Sequence, residues 1–290
     1  MTCPRAQEPS GPDRRRTVPV PGARLRVRVE GTGPDVLLLH GLSAHGGEWD
    51  AVAKRLEGRF RLIRPDLADR GRSVSRPGAR FRLRDEVTRL AALIEAIGAT
   101  RPLVVGHSHG AALAVALAEG RDTAGLLLLN PVTPWTPRPA ALALLRPAPV
   151  RLCLAPLLRH FRRPLTRYIL SRRVYADPGG ATRRAVERYA APLARTRRVR
   201  RLLRVLADWR PSELSPPARP PAPAVVVAGA RDRRIPVGQA ARWAEALQAE
   251  FLVFDDCAHG VPEEAPDRVA ALVVRLLASS GKARAGEHQE

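Results

Sequence analysis

One stretch constrains this chain more than any other: Gly106-His107-Ser108-His109-Gly110, set directly after the apolar run Pro102-Leu103-Val104-Val105. The pattern G-x-S-x-G in that position reads as a nucleophile elbow, where a buried strand turns sharply into a helix and leaves the serine hydroxyl exposed on a strained residue. Gly106 and Gly110 would admit the close backbone crossing that such a turn requires. The apolar run from Ala111 to Glu119 supplies the helix. A serine between glycines is also an ordinary turn, so its partners must decide.

A serine hydroxyl is a weak nucleophile at neutral pH. It needs a base within hydrogen-bond reach and a carboxylate that holds this base in the right tautomer. In a strand-turn-helix site the chain order is serine, acid, histidine. Both partners follow in that order. The apolar run Ala224-Val225-Val226-Val227-Ala228 leads into a loop carrying Asp232, and Phe251-Leu252-Val253-Phe254 leads into a loop carrying His259. Loops beyond the carboxyl ends of strands are where open α/β sheets gather their chemistry. Asp255 and Asp256 share a loop with His259, whereas Asp232 lies on the preceding one, which makes Asp232 the better acid. Upstream, Val36-Leu37-Leu38-Leu39 ends in His40-Gly41-Leu42-Ser43. A tetrahedral intermediate needs two backbone N–H donors, and these are assigned to Leu42 and His109. His40 and Gly41 are expected to brace that loop rather than react, as Gly106 and Gly110 brace the elbow. His45 and His107 are read as packing residues and Trp49 as core.

The wider pattern alternates strand and helix. Apolar residues Val87, Leu90, Leu93, Ile94 and Ile97 fall at helical spacing, and Leu126 to Leu129 forms another continuous apolar strand. This predicts a mostly parallel, doubly wound α/β sheet covered by helices. The rhythm stops between residues 133 and 220, where leucine-rich segments alternate with prolines. That segment is assigned to an inserted helical cap, its apolar residues to ordinary helical core, with Trp135, Leu142, Phe161, Tyr168, Tyr175 and Trp209 as candidate pocket liners. The division expected is a disordered tail over 1–21, the α/β core over 22–132 and 221–279, the cap over 133–220, and a second tail over 280–290.

With these residues in place the chain resembles the α/β-hydrolase fold superfamily, in particular its serine esterase and lipase-like members with a helical cap. The likeness runs through five segments in order: His40-Gly41 with Trp49, Asp66-Leu67 through Arg70-Gly71-Arg72-Ser73, the elbow, Gly229 through Pro236, and His259-Gly260 with Glu263, Glu264 and Pro266. It implies Ser108 as nucleophile, Asp232 as triad acid, His259 as general base, and no cofactor. Asp69 stands where relatives usually have a second glycine. His109 follows the nucleophile where Met, Leu or Gln is common. Serine at the elbow argues against the dehalogenase and epoxide-hydrolase branches, which place aspartate there.

The cysteines Cys3, Cys153 and Cys257 form no paired spacing, and no His-Glu-x-x-His, dinucleotide or phosphate-loop motif is present, so no metal is expected. Scattered thiols and the lack of a signal-like apolar segment point to the cytoplasm. A net charge of +21 raises nucleic acid or an anionic membrane as partners. The charge is almost all arginine, which a GC-rich coding bias explains, so nucleic acid is not expected; membrane contact by the cap is the lesser alternative. Residues 133–220 carry 20 arginines against four acids, a net +16. The activity expected is cleavage of a small-molecule carboxylic ester through an acyl-enzyme. The alternatives are an acyltransferase or thioesterase serving anionic acyl carriers, and a non-catalytic basic binding protein on the same scaffold.

Overall fold

The continuous apolar runs pair as the centre of a nine-stranded sheet. The computed structural model describes residues 14–217 and 223–287. The strands are β1 (Arg14–Val20), β2 (Ala23–Glu30), β3 (Asp35–Leu39), β4 (Arg61–Pro65), β5 (Val74–Ser75), β6 (Leu103–His107), β7 (Gly125–Leu129), β8 (Ala224–Gly229) and β9 (Glu250–Phe254). Their spatial order is β1-β2-β4-β3-β6-β7-β8-β9, with β5 paired to β2. Pairing is antiparallel from β1 through β2 to β4 and parallel from there to β9. Every residue of β6 and β7 is buried, as it must be in parallel strands with helices on both faces.

The helices are α1 (Asp50–Leu56), α2 (Leu83–Ala96), α3 (His109–Ala118), α4 (Ala148–His160), α5 (Arg162–Ile169), α6 (Arg183–Ala190), α7 (Thr196–Asp208), α8 (Val237–Ala246), α9 (Val261–Glu264) and α10 (Pro266–Glu287). Strand residues alternate between two cores. Leu37, Leu39, Val104 and Leu128 meet Leu90 and Ile94 of α2, Leu113 of α3 and Trp243 of α8. Val36, Leu38, Val105 and Leu129 meet Val52 and Leu56 of α1 and Val269 and Val273 of α10.

Two boundaries differ from expectation. Residues 14–20, assigned by composition to a tail, form β1 instead. A two-residue turn at Pro21 and Gly22, where Gly22 takes φ +67, folds them onto β2 in register from Val20↔Ala23 to Arg14↔Val29. Val18 is buried while Arg15, Thr17 and Pro19 on the alternate face are exposed, so a polar composition is compatible with an edge strand. Residues 1–13, including Cys3, lie outside the described residues. At the other end α10 continues to Glu287, well into the segment assigned to a tail.

Helices α4 to α7 lie between β7 and β8. Leu145, Ala155, Val199, Leu203 and Ala207 form one small core there, and Leu170, Tyr175, Ala181, Ala185 and Val186 another. The expectation of helical core does not extend to Leu144 and Leu157, which are 69% and 52% exposed. No described helix is long and apolar enough to cross a membrane.

Candidate active site

Ser108 sits where β6 gives way to α3, at φ +54 and ψ −113. Backbone held in such a sparsely populated region stores about 1–3 kcal/mol. Glycines allow it: a Cβ on Gly106 would collide with the backbone of Gly110 and Ala111, and one on Gly110 with the carbonyl of Leu39. Two bonds fasten the turn to its neighbours, Ser108 N–H donating to Leu129 O at 2.9 Å and Val132 N–H donating to Ser108 O at 3.1 Å.

The structure brings Ser108, His259 and Asp232 into one hydrogen-bonded line. His259 Nδ1 lies 2.7 Å from Asp232 Oδ2, and His259 Nε2 lies 3.1 Å from Ser108 Oγ. With Nδ1–H donating to the carboxylate, Nε2 is left to accept the hydroxyl proton. Burial favours neutral Asp232, but His259 and the N–H groups of Arg234 and Ile235 outweigh it and hold the carboxyl below its usual range. Burial also lowers His259, against the pull of Asp232, so the ring is neutral and able to take a proton at pH 7. Asp256 instead pairs with Arg268, outside this line.

Asn130 takes φ +42 just after β7. Its Oδ1 accepts from Gly229 N–H and its Nδ2 donates to Ala258 O, both at 2.7 Å. It thereby clamps the start of the Asp232 loop to the residue preceding His259.

His40 bonds within the upstream loop and to the chain after β4. Its Nδ1 donates to Gly41 O at 2.7 Å and its Nε2 accepts from Leu67 N–H at 2.9 Å. Burial pushes its pKa down to about 4, so the ring is neutral. Among the described residues no protein acceptor takes the N–H of Leu42 or of His109, the latter at the first position of α3 where no intrahelical partner exists.

Two buried charged networks hold these backbones in place. On one side, Gly41 N–H donates to Glu48 Oε2 at 3.0 Å, and His107 links Glu48 Oε1 at 3.0 Å to the carbonyl of His259 at 2.7 Å. Both His107 nitrogens face acceptors, which the imidazolium satisfies. Burial opposes that charge, but Glu48 outweighs it and raises the pKa of His107. On the other side, Arg70 Nε donates to Leu42 O at 3.1 Å, its guanidinium pairs with Glu86, and Glu86 Oε2 meets His109 Nε2 at 2.7 Å. One ion pair therefore tethers both assigned oxyanion residues. His107, read from sequence as a packing residue, and the His109 ring are each a link in one of these networks.

Asp69, in place of a glycine, takes φ +61, a region where aspartate is more at ease than most residues. Its carboxylate accepts from Ser75 N–H and Oγ, both at 2.8 Å. The candidate liners are mostly elsewhere. Phe161 and Tyr168 are exposed, Leu142 packs on the small core that includes Ala155 and Leu203, Trp135 stacks edge-on against Trp243, and Trp209 packs on the main core. Tyr175 donates to Glu263 Oε2 at 2.8 Å, as Tyr189 does at 2.7 Å, and these bonds tie the segment between β7 and β8 to α9, just beyond His259.

The family model described as alpha/beta hydrolase family matches residues 36–272. The chain is 30% identical over 256 residues to the Magnesium-chelatase 30 kDa subunit of Rhodobacter capsulatus, covering 84% of this chain and 87% of that protein. Uncharacterised proteins of Mycobacterium bovis and Mycobacterium tuberculosis are 33% identical over 99 residues, and the match spans only 29% of their length. Among solved structures, an alpha/beta hydrolase fold protein from Burkholderia ambifaria superposes with TM-score 0.77 at 24% identity, covering 90% of this chain and all of that one. A thermophilic esterase from Thermogutta terrifontis superposes with TM-score 0.71 at 25% identity, covering 91% of this chain and 97% of that one.

Proposed function

The chain belongs to the alpha/beta hydrolase family, and from that premise we propose that it is a serine hydrolase cleaving a carboxylic ester through an acyl-enzyme. The observation that carries this reading is the hydrogen-bonded line Asp232–His259–Ser108. His259 Nε2 takes the hydroxyl proton as Ser108 Oγ attacks the ester carbonyl. The carbonyl oxygen becomes an oxyanion held by the two N–H groups, each of which contributes about 3 kcal/mol in sites of this kind. As the intermediate collapses, the proton on His259 passes to the leaving alkoxide, the alcohol departs, and an ester to Ser108 remains. Water then gives a proton to His259, attacks the acyl carbon, and releases the acid while Ser108 recovers its proton. The esterase and lipase names among similar proteins support an ester substrate.

Fluorophosphonate labelling of wild type beside Ser108→Ala, with hydrolysis of short and long p-nitrophenyl esters, tests the proposal. Labelling and turnover present in wild type and lost in the folded variant are the expected result. Turnover retained by Ser108→Ala would refute it.

The likeness to the Magnesium-chelatase 30 kDa subunit spans nearly the whole chain and favours a second reading, in which this hydrolase serves alongside a magnesium chelatase. The +16 of residues 133–220 suits an anionic substrate, including an acyl carrier in a thioesterase or acyltransferase reaction. Turnover of anionic thioesters faster than neutral esters, with an advantage that shrinks in salt, would select that substrate class.

A further inference from the structure

Helix α4 is apolar on two faces, and only one of them is covered. Leu154, Ala155 and Leu158 turn inward onto the small core that α4 shares with α7. Pro149, Leu152 and Pro156, at three- and four-residue spacing, are all exposed, as is Leu157 next to Pro156. The pattern continues through Phe161, at the junction, into α5, where Leu165 and Tyr168 are exposed at the same spacing. The exposures of Leu152, Phe161 and Tyr168 are 50%, 49% and 57%. A helix that is apolar all round ordinarily has a partner on each face, and here the outer face of two consecutive helices has none among the described residues.

The charges around this face are of one sign. Residues 138–173 contain nine arginines, and no aspartate or glutamate occurs between Asp122 and Asp177. Arg159, Arg163 and Arg167 are exposed beside the apolar positions. Arg163 reaches Glu187 of α6, an acid that the neighbouring helix rather than this one supplies. Apolar side chains flanked by arginines match the two layers of an anionic bilayer surface, its acyl boundary and its charged headgroups. A purely electrostatic anion site would not need the leucines, and a buried protein interface would not ordinarily surround its core with so many unmatched cations.

We propose that the outer face of α4 and α5 is a docking surface for an anionic lipid bilayer, on which the protein rests peripherally. Coding bias accounts for arginine in the composition, but not for leucine and phenylalanine left exposed among the arginines. None of these residues bonds to Ser108, His259 or Asp232, so docking and hydrolysis can be read independently.

The test is flotation of the full chain with vesicles of phosphatidylcholine alone and of phosphatidylcholine with phosphatidylglycerol, for wild type and for the double variant Leu152→Glu, Leu157→Glu. Fluorophosphonate labelling reports in each case whether the rest of the fold is intact. Binding of wild type should be at least about tenfold stronger with the anionic lipid and should weaken in salt. The double variant should lose about 10- to 100-fold in vesicle binding, because two apolar side chains no longer enter the interface, while labelling at the wild-type rate. No vesicle binding, equal binding to neutral vesicles, or full binding by the folded double variant would each overturn the proposal. Self-association that the double variant abolishes, with no vesicle binding, would assign the face to a second copy and overturn it too.

Discussion

Glu86 offers the sharpest perturbation, because it holds a buried arginine and a buried histidine at once. Its side chain is 2% exposed and that of Arg70 is 1% exposed. Burial alone would raise the Glu86 pKa, but Arg70 and His109 outweigh it and bring the value from 4.5 down to about 2. At about 1.4 kcal/mol for each tenfold change in proton affinity, this corresponds to about 3 kcal/mol of folding stability. The folded-state value is depressed, so this share is complete above the unfolded value and is lost as pH falls from about 4.5 toward 2. Glu86→Gln leaves the Arg70 guanidinium buried without a counter-charge, and a broken buried pair costs about 3–5 kcal/mol. Urea unfolding should therefore place Glu86→Gln about 3–5 kcal/mol below wild type at pH 7, with the gap narrowing by about 2 kcal/mol at pH 3, where wild type has lost much of the contribution. Arg70→Met combined with Glu86→Leu removes both charges and should recover most of the stability. It should still hydrolyse esters about 100-fold more slowly, because neither Leu42 O nor the His109 ring keeps its tether. A gap below about 1 kcal/mol at pH 7, a gap unchanged at pH 3, or full turnover by the double variant would refute the reasoning.

Asp232→Asn should retain its fold by circular dichroism and lose about 10⁴-fold in kcat, since His259 would lose the partner that fixes its tautomer. The acid limb of kcat/KM should fall below pH 6.5: the proposed mechanism uses His259 as a base, which must be neutral, and burial lowers its pKa from that value. A limb at or above 6.5 would contradict the burial seen here. Asn130→Ala should cost about 2–4 kcal/mol in urea melts, because Gly229 N–H and Ala258 O both lose a buried partner. It should lower kcat more than it changes KM.

The strands and the site were legible to different depths. Buried parallel strands announce themselves as unbroken aliphatic runs, so Val36-Leu39, Leu103-Val105 and Val225-Val227 could be placed from sequence, and with them the loops carrying Leu42, Ser108 and Asp232. Strand β1 could not, because an edge strand keeps one face in water and its arginines resemble a tail. Nor could Leu144 and Leu157 be told from helical core, since helical spacing identifies an apolar face without saying what covers it. Arg70, Glu48 and Glu86 each act partly through a partner on another element of the fold, which no local pattern announces. Glu86 did leave a trace: it falls on the same stripe as Leu90, Leu93 and Ile94, where an acid has no place unless something buried pairs with it.

That trace suggests why this chain carries charge beneath a site whose motif residues already suffice for chemistry. Oxyanion stabilisation depends on where two backbone N–H groups stand, and backbone position is set by whatever grips the adjoining carbonyls and side chains. Leu42 and His109 come from loops after different strands, β3 and β6, so ordinary sheet pairing fixes the strands without fixing the loop ends. Arg70 and Glu86 bridge that gap with one ion pair, while Glu48 and His107 join Gly41 to the carbonyl of His259 on the opposite side. Each pair therefore spans two loops that the sheet alone would leave to vary. Hydrophobic contacts could fill the same space with less desolvation, but they lack the fixed donor and acceptor directions that orient a peptide group. Stability and precision then separate, which is why the Arg70→Met, Glu86→Leu variant is expected to fold well and hydrolyse poorly.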